Sequence, residues 1–101
     1  MKSILAEIFL IAGKRQAGVQ SGYRPNLFIG GYSEDNNTDC VINLLPDVGL
    51  LPDGETVLAN ITLVHPELLK MDKLKGMTFC IQEGRKVVGQ GMFLTEAQDK
   101  K

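Results

Sequence analysis

Few residues of this chain are of types that do chemistry, and their spacing decides how far each can be taken. The one histidine, His65, stands beside Pro66 at the end of an alternating apolar run, with no cysteine or acidic neighbour at ligand spacing. A lone histidine builds neither a zinc site nor a catalytic triad, so it reads as a structural residue. Cys40 and Cys80 lie far apart, each inside an apolar stretch, which suits buried thiols in a reducing compartment better than a metal pair or a disulfide framework. The acidic residues Glu34, Asp35, Asp47, Asp53 and Glu55 fall in polar, turn-rich stretches and read as solvated loop charges. The run from Gly84 to Gly91 is rich in glycine but sits between two strand-like segments, whereas a dinucleotide fingerprint opens a helix after a strand. No Gly-x-x-x-x-Gly-Lys-Ser/Thr loop is present. The expectation is a chain with no catalytic residues, no metal site and no cofactor.

Two basic spots carry a binding hypothesis instead. Lys14-Arg15 opens the first long loop and Arg85-Lys86 follows Gly84 in a hairpin connection. If the fold brings both to one face beside Tyr23 and Arg24, they form a small positive patch able to hold a phosphate backbone. Composition alone favours two ordinary solvated turns.

The totals bound these readings. A chain of 101 residues makes one domain, expected here as residues 1–101 with the folded part over about 3–95 and a frayed polar tail at 96–101. Eleven basic and twelve acidic side chains give a net charge of −1, which argues against a general polyanion binder but leaves room for a local patch. The longest apolar run, Ile8 to Ala12, is far too short to span a bilayer. The start Met1-Lys2-Ser3 lacks the form of a signal peptide, and Glu7 interrupts the apolar residues after it. The reading is therefore a cytoplasmic protein with no membrane and no DNA partner; nothing in the sequence speaks to oligomeric state.

The elements that must position these residues follow a period of two. Ile4 to Ala12, Asn26 to Tyr32, Asp39 to Leu45, Thr56 to His65, Met77 to Gln82 and Val87 to Thr95 read as strands. In the fourth, Val57, Ala59, Ile61 and Leu63 share one face while Thr56, Leu58, Asn60, Thr62 and Val64 share the other. Glu67 to Lys75 has helix-friendly composition but is short enough to be a single turn or a loop. Gly89 and Gly91 lie two apart and so face one side of the last strand, suggesting close backbone approach or a sharp bend. Six short strands with Gly/Pro-rich turns make an all-β domain, and closing the sheet into a barrel would remove its edges.

Five runs in order bear a further resemblance. They are Ala6-Glu7-Ile8-Phe9-Leu10-Ile11, Gly22-Tyr23-Arg24-Pro25, the Leu45-Pro46 and Pro52-Asp53-Gly54 pair, Leu63-Val64-His65-Pro66, and Phe79 through Gly91. Together they resemble the third, C-terminal barrel of elongation factor Tu, over about Ala6 to Phe93. The resemblance implies an all-β, six-stranded antiparallel Greek-key barrel standing without a GTPase domain. In that family the barrel touches the backbone of aminoacyl-tRNA and is contacted by protein partners. Carried over by position, the tRNA-facing residues would be Arg15, Gln16, Asn26, Glu83 and Gly84, with Arg85 and Lys86 adding charge beside them. The first loop departs from the family, having Gln16, Ala17, Gly18, Val19 and Gln20 where the family has a histidine, a threonine, a proline and two phenylalanines. The implied function is a non-enzymatic translation-factor-like barrel that binds tRNA, another RNA or a translation-factor partner. The alternative is a decoy or regulatory module that copies the factor's surface to engage a protein.

Overall fold

The computed structural model describes residues 2–11, 20–30, 37–45, 49, 54–65, 73–96 and 98–99. Among the described residues seven strands run in chain order: β1 (Lys2–Leu10), β2 (Asn26–Ile29), β3 (Asn37–Leu44), β4 (Thr56–Leu63), β5 (Thr78–Glu83), β6 (Lys86–Phe93) and the short β7 (Gln98–Asp99). Among the described residues there is no helix, and none long and apolar enough to cross a membrane.

The first six strands hydrogen-bond in the order β4-β3-β2-β5-β6-β1, and β1 returns to pair with β4, so the sheet closes on itself. Every pairing is antiparallel. β2, β3 and β4 follow one another as a meander while β5 comes back to lie beside β2, which is the Greek-key path. The all-β, six-stranded Greek-key barrel expected from the sequence is the fold observed.

β1 is the strand on which closure depends. One of its edges takes β4 from Lys2↔Leu63 to Phe9↔Thr56, and the other takes β6 from Ala6↔Phe93 to Leu10↔Gly89. Where β6 stops, the Leu94 N–H donates to the Leu5 carbonyl at 2.8 Å, and the Leu5 N–H donates to Thr95 Oγ1 at 3.3 Å. β7 then pairs with Lys2 and Ser3. Within the expected polar tail at 96–101, the described residues 98–99 form this strand, which pairs part of the β1 edge that β6 does not reach.

The period of two places the core. Ile4, Ala6, Ile8 and Leu10 of β1 are buried in strict alternation, and Leu27, Ile29, Cys40, Ile42, Leu44, Ala59, Ile61, Leu63, Phe79, Ile81 and Phe93 join them in the core. The inward face of β4 is as expected, although Thr62 on its other face is buried too, between Ser3 and Val41 in the flanking strands. Gly89 and Gly91 face inward opposite Ile81 and Phe79. A methyl group at Gly91 would stand 2.5 Å from the Glu7 carbonyl oxygen and 2.5 Å from the Phe79 ring, and one at Gly89 would stand 2.5 Å from the Phe9 carbonyl oxygen. The close backbone approach expected of this pair is therefore present, and it leaves room for the tilted Phe79–Phe93 ring pair, whose centroids are 4.6 Å apart. A bulge between Ile81 and Gln82 adds Val88 to the inside of β6 and sharpens the bend toward the hairpin.

Of the helix-friendly stretch 67–75, residues 67–72 lie outside the described part of the chain. Its end is a turn: the Met77 N–H donates to the Leu74 carbonyl at 2.9 Å, Gly76 takes a φ of 84°, and Leu74 is buried.

Candidate functional site

One end of the barrel gathers most of the residues singled out for binding. Between the end of the first loop and β2, the chain 21–25 runs alongside β3 as an irregular extension of the sheet. The Gly22 N–H donates to the Ile42 carbonyl at 3.0 Å, the Ile42 N–H donates to the Tyr23 carbonyl at 2.7 Å, and the Leu44 N–H donates to Ser21 Oγ at 2.8 Å. Gly22 can hold its place there because its φ of 91° carries no side-chain penalty. Pro25 is buried, and its carbonyl accepts from the Cys40 N–H at 3.3 Å and from the Cys40 thiol at 3.6 Å. Burial, with the nearby Asp39 carboxylate adding to it, pushes the Cys40 thiol up to about 12. It stays protonated at neutral pH and serves as a donor rather than a nucleophile.

The hairpin between β5 and β6 meets this segment. Glu83 pairs with Lys86 across a two-residue turn, Gly84-Arg85. Gly84 has a φ of 63° and Arg85, like every described residue other than glycine, has none that is positive, so the turn has the requirement of a type II′ hairpin at its first central position. The Tyr23 hydroxyl donates to Glu83 Oε2, bridging the two segments, while the half-buried Tyr23 ring packs against the core. Asn26 opens β2 with Gln82 on one side and Asp39 on the other. Arg24, Glu83, Arg85 and Lys86 are all exposed.

The structure thus brings together Asn26, Glu83, Gly84, Arg85 and Lys86, and it sets Tyr23 and Arg24 beside them. Arg15 and Gln16, with Lys14, lie outside the described residues. The two ends of that loop can be placed: the Ile11 N–H donates to the Val88 carbonyl at 2.9 Å on the hairpin side, and Ser21 sits against Leu44. His65 is exposed at the end of β4, and Leu63 pairs with Lys2 at the start of β1, so it stands at the opposite end of the barrel.

A second feature was not foreseen. A groove of about 640 Å³ crosses the barrel wall from the edge of β4 over β1, β6 and β5 to β2. It is built from outward rows of the sheet. Thr56, Phe9, Gln90, Cys80 and Phe28 follow one another across the strands in register, and Glu7, Met92 and Thr78 form the row beside them. The sequence held one signal for it: β1 is apolar on both faces, with Leu5 and Phe9 alternating with the buried Ile4, Ala6, Ile8 and Leu10. Among the described residues no three His, Cys, Asp or Glu side chains come together as a metal-binding group.

No family model matches the chain. The described site offers exposed Arg24, Arg85 and Lys86 at the hairpin end of the barrel, and a separate groove in which Glu7, Thr56, Thr78 and Gln90 stand among Phe9, Phe28 and Met92.

Proposed function

We propose that this protein is a non-catalytic binding module of the cytoplasm, a barrel similar to the third domain of elongation factor Tu, that engages tRNA or another RNA through its basic end. The observation that carries the reading is the Tyr23–Glu83 hydrogen bond, which holds the segment bearing Arg24 against the hairpin bearing Arg85 and Lys86. Cations on segments tied together by a hydrogen bond meet a phosphate backbone with less ordering cost than cations on loose loops. Asn26, Glu83 and Gly84, the positions that the resemblance assigns to RNA, share this end.

With a net charge of −1, the binding has to be local, weak and sensitive to salt. Fluorescence anisotropy with labelled deacylated tRNA across a salt series tests it. The expected outcome is an affinity that falls as salt rises, and an Arg85→Ala/Lys86→Ala variant that binds more weakly with a slope shallower by about one per lost phosphate contact. Affinity indifferent to salt, or unchanged in the double variant, would overturn the reading. The alternative, a decoy or regulatory module that engages a protein, draws support from the wall groove, which has the apolar lining and volume of a recognition site rather than of a phosphate track.

A further inference from the structure

We propose that the wall groove docks an extended segment of a partner protein that inserts a basic side chain between apolar ones, with Glu7 as its counter-ion. This goes beyond the RNA reading and does not depend on it, because the groove uses none of the hairpin cations.

Glu7 is half-buried at mid-strand. Its cross-strand neighbours are Leu58 on β4 and Met92 on β6, both apolar, and Leu58 is exposed, at 41%. Along β1 its same-face neighbours are Leu5 and Phe9. No hydrogen bond or ion pair among the described residues engages its carboxylate. A carboxylate set among apolar side chains offers a counter-charge to a basic group whose stem those side chains can cover. A lysine or arginine side chain lying in the groove fits both parts of that surface, its methylene stem on Phe9 and Met92 and its head on Glu7.

The groove's dimensions and edges narrow the occupant further. It spans five neighbouring strands, which at about 4.8 Å each is roughly 19 Å, the length of about six extended residues. The strands beneath it are paired on both sides, so an incoming segment cannot add to the sheet and must be read by its side chains. The volume of about 640 Å³ suits one large side chain with its apolar neighbours.

Cys80 lines the groove and Cys40 is buried in the core, so the two thiols give a site-specific reporter with an internal control. The experiment titrates isotope-labelled protein with the peptide acetyl-Leu-Val-Arg-Val-Leu-amide and with its citrulline and glutamate counterparts, and follows Cys80 alkylation in parallel. The arginine peptide is expected to shift the amide signals of Glu7, Phe9, Gln90 and Met92, to slow alkylation of Cys80, and to bind about fivefold more tightly than the citrulline peptide. The glutamate peptide should bind most weakly of the three. Glu7→Gln should abolish the preference for arginine over citrulline while leaving the melting temperature unchanged. If that variant does not fold, Met92→Lys, which sets a cation beside Glu7, should block the arginine peptide selectively. Equal binding of all three peptides, shifts confined to residues 83–86, or no shift at millimolar peptide would each overturn the proposal. Loss of salt-dependent tRNA binding in the hairpin variants would leave it untouched, so the two readings fail separately.

Discussion

Gly91 shows how much of this fold a single missing methyl group decides. Its inward position is occupied from two sides, by the Glu7 carbonyl oxygen and by the Phe79 ring, each 2.5 Å from where a Cβ would stand. The ring could rotate away. The carbonyl belongs to the strand that closes the barrel and cannot move without disturbing the β1–β6 ladder. Gly84 makes the contrasting case: its φ of 63° strains any other residue, but nothing lies within 4 Å of the added atom. Gly91→Ala should therefore destabilise the protein by an overpacking cost at the upper end of about 1–3 kcal/mol. Gly84→Ala should cost only the left-handed backbone penalty of about 1 kcal/mol. Gly89→Ala, which meets the Phe9 carbonyl at 2.5 Å but side chains only at 3.3 Å and beyond, should fall between them. Urea denaturation of the three variants reads the order directly. An equal loss at Gly84 and Gly91 would mean that β1 yields to the intruding atom, and that the close approach is not a constraint on closure.

At the scale of the element, the chain after β6 acts as a clamp. Glu96 Oε1 accepts from the Leu74 N–H at 2.8 Å and from the Lys75 N–H at 3.0 Å, tying the tail to the turn before β5 just before β7 reaches β1. The Lys75 and Leu74 backbone bonds hold the carboxyl below its ordinary value of 4.5. Because the folded state prefers the ionised form, the clamp is fully present above that ordinary value and is lost as pH falls through the lower, folded one. Acidification below 4.5 should raise amide exchange at Leu74 and Lys75 and loosen β7, while the rest of the barrel keeps its protection. Glu96→Ala should show the loosened tail already at neutral pH and no further change on acidification; a pH response that survived the substitution would assign the effect to another group. None of this was legible beforehand, since Glu96 to Lys101 has the composition of a solvated tail and a side-chain-to-backbone bond across the fold leaves no periodic trace. The strands were legible because burial on one face imposes alternation, as in Val57, Ala59, Ile61 and Leu63. The hairpin was legible because the II′ turn needs a glycine where Gly84 stands. The convergence of Asn26 with residues 83–86 could be anticipated only through the resemblance, because their pairing joins segments far apart in sequence. The groove escaped notice because an outward apolar residue such as Phe9 means nothing until its cross-strand neighbours are known.

The whole molecule is a closed ring of ladders, and closure makes a cooperative prediction about its interior. Cys40 is 1% exposed on β3, its thiol bonded to the Pro25 carbonyl, and β3 is paired to β2 on one side and to β4 on the other. Among the described residues, reaching the sulfur requires parting β3 from a neighbour, and in a ring each ladder is held by the others. β1 cannot leave β4 without straining β6 and β7, and residues 21–25 cannot leave β3 without releasing the Tyr23–Glu83 bond at the hairpin. Labelling of Cys40 by an aromatic disulfide should therefore report global unfolding, slowed relative to an unfolded thiol by on the order of ten-thousand-fold or more for a domain of ordinary stability. Cys80, half-buried on the wall, should label first and independently of stability. In rising urea the Cys40 rate should climb in step with the fraction unfolded, and Gly91→Ala should speed it by the factor its own loss of stability dictates. A Cys40 rate far above that set by global stability would sink the argument. It would show that the segment carrying Tyr23 and Arg24 opens from β3 alone, making the basic end a hinged surface on an otherwise closed barrel rather than a rigid part of it.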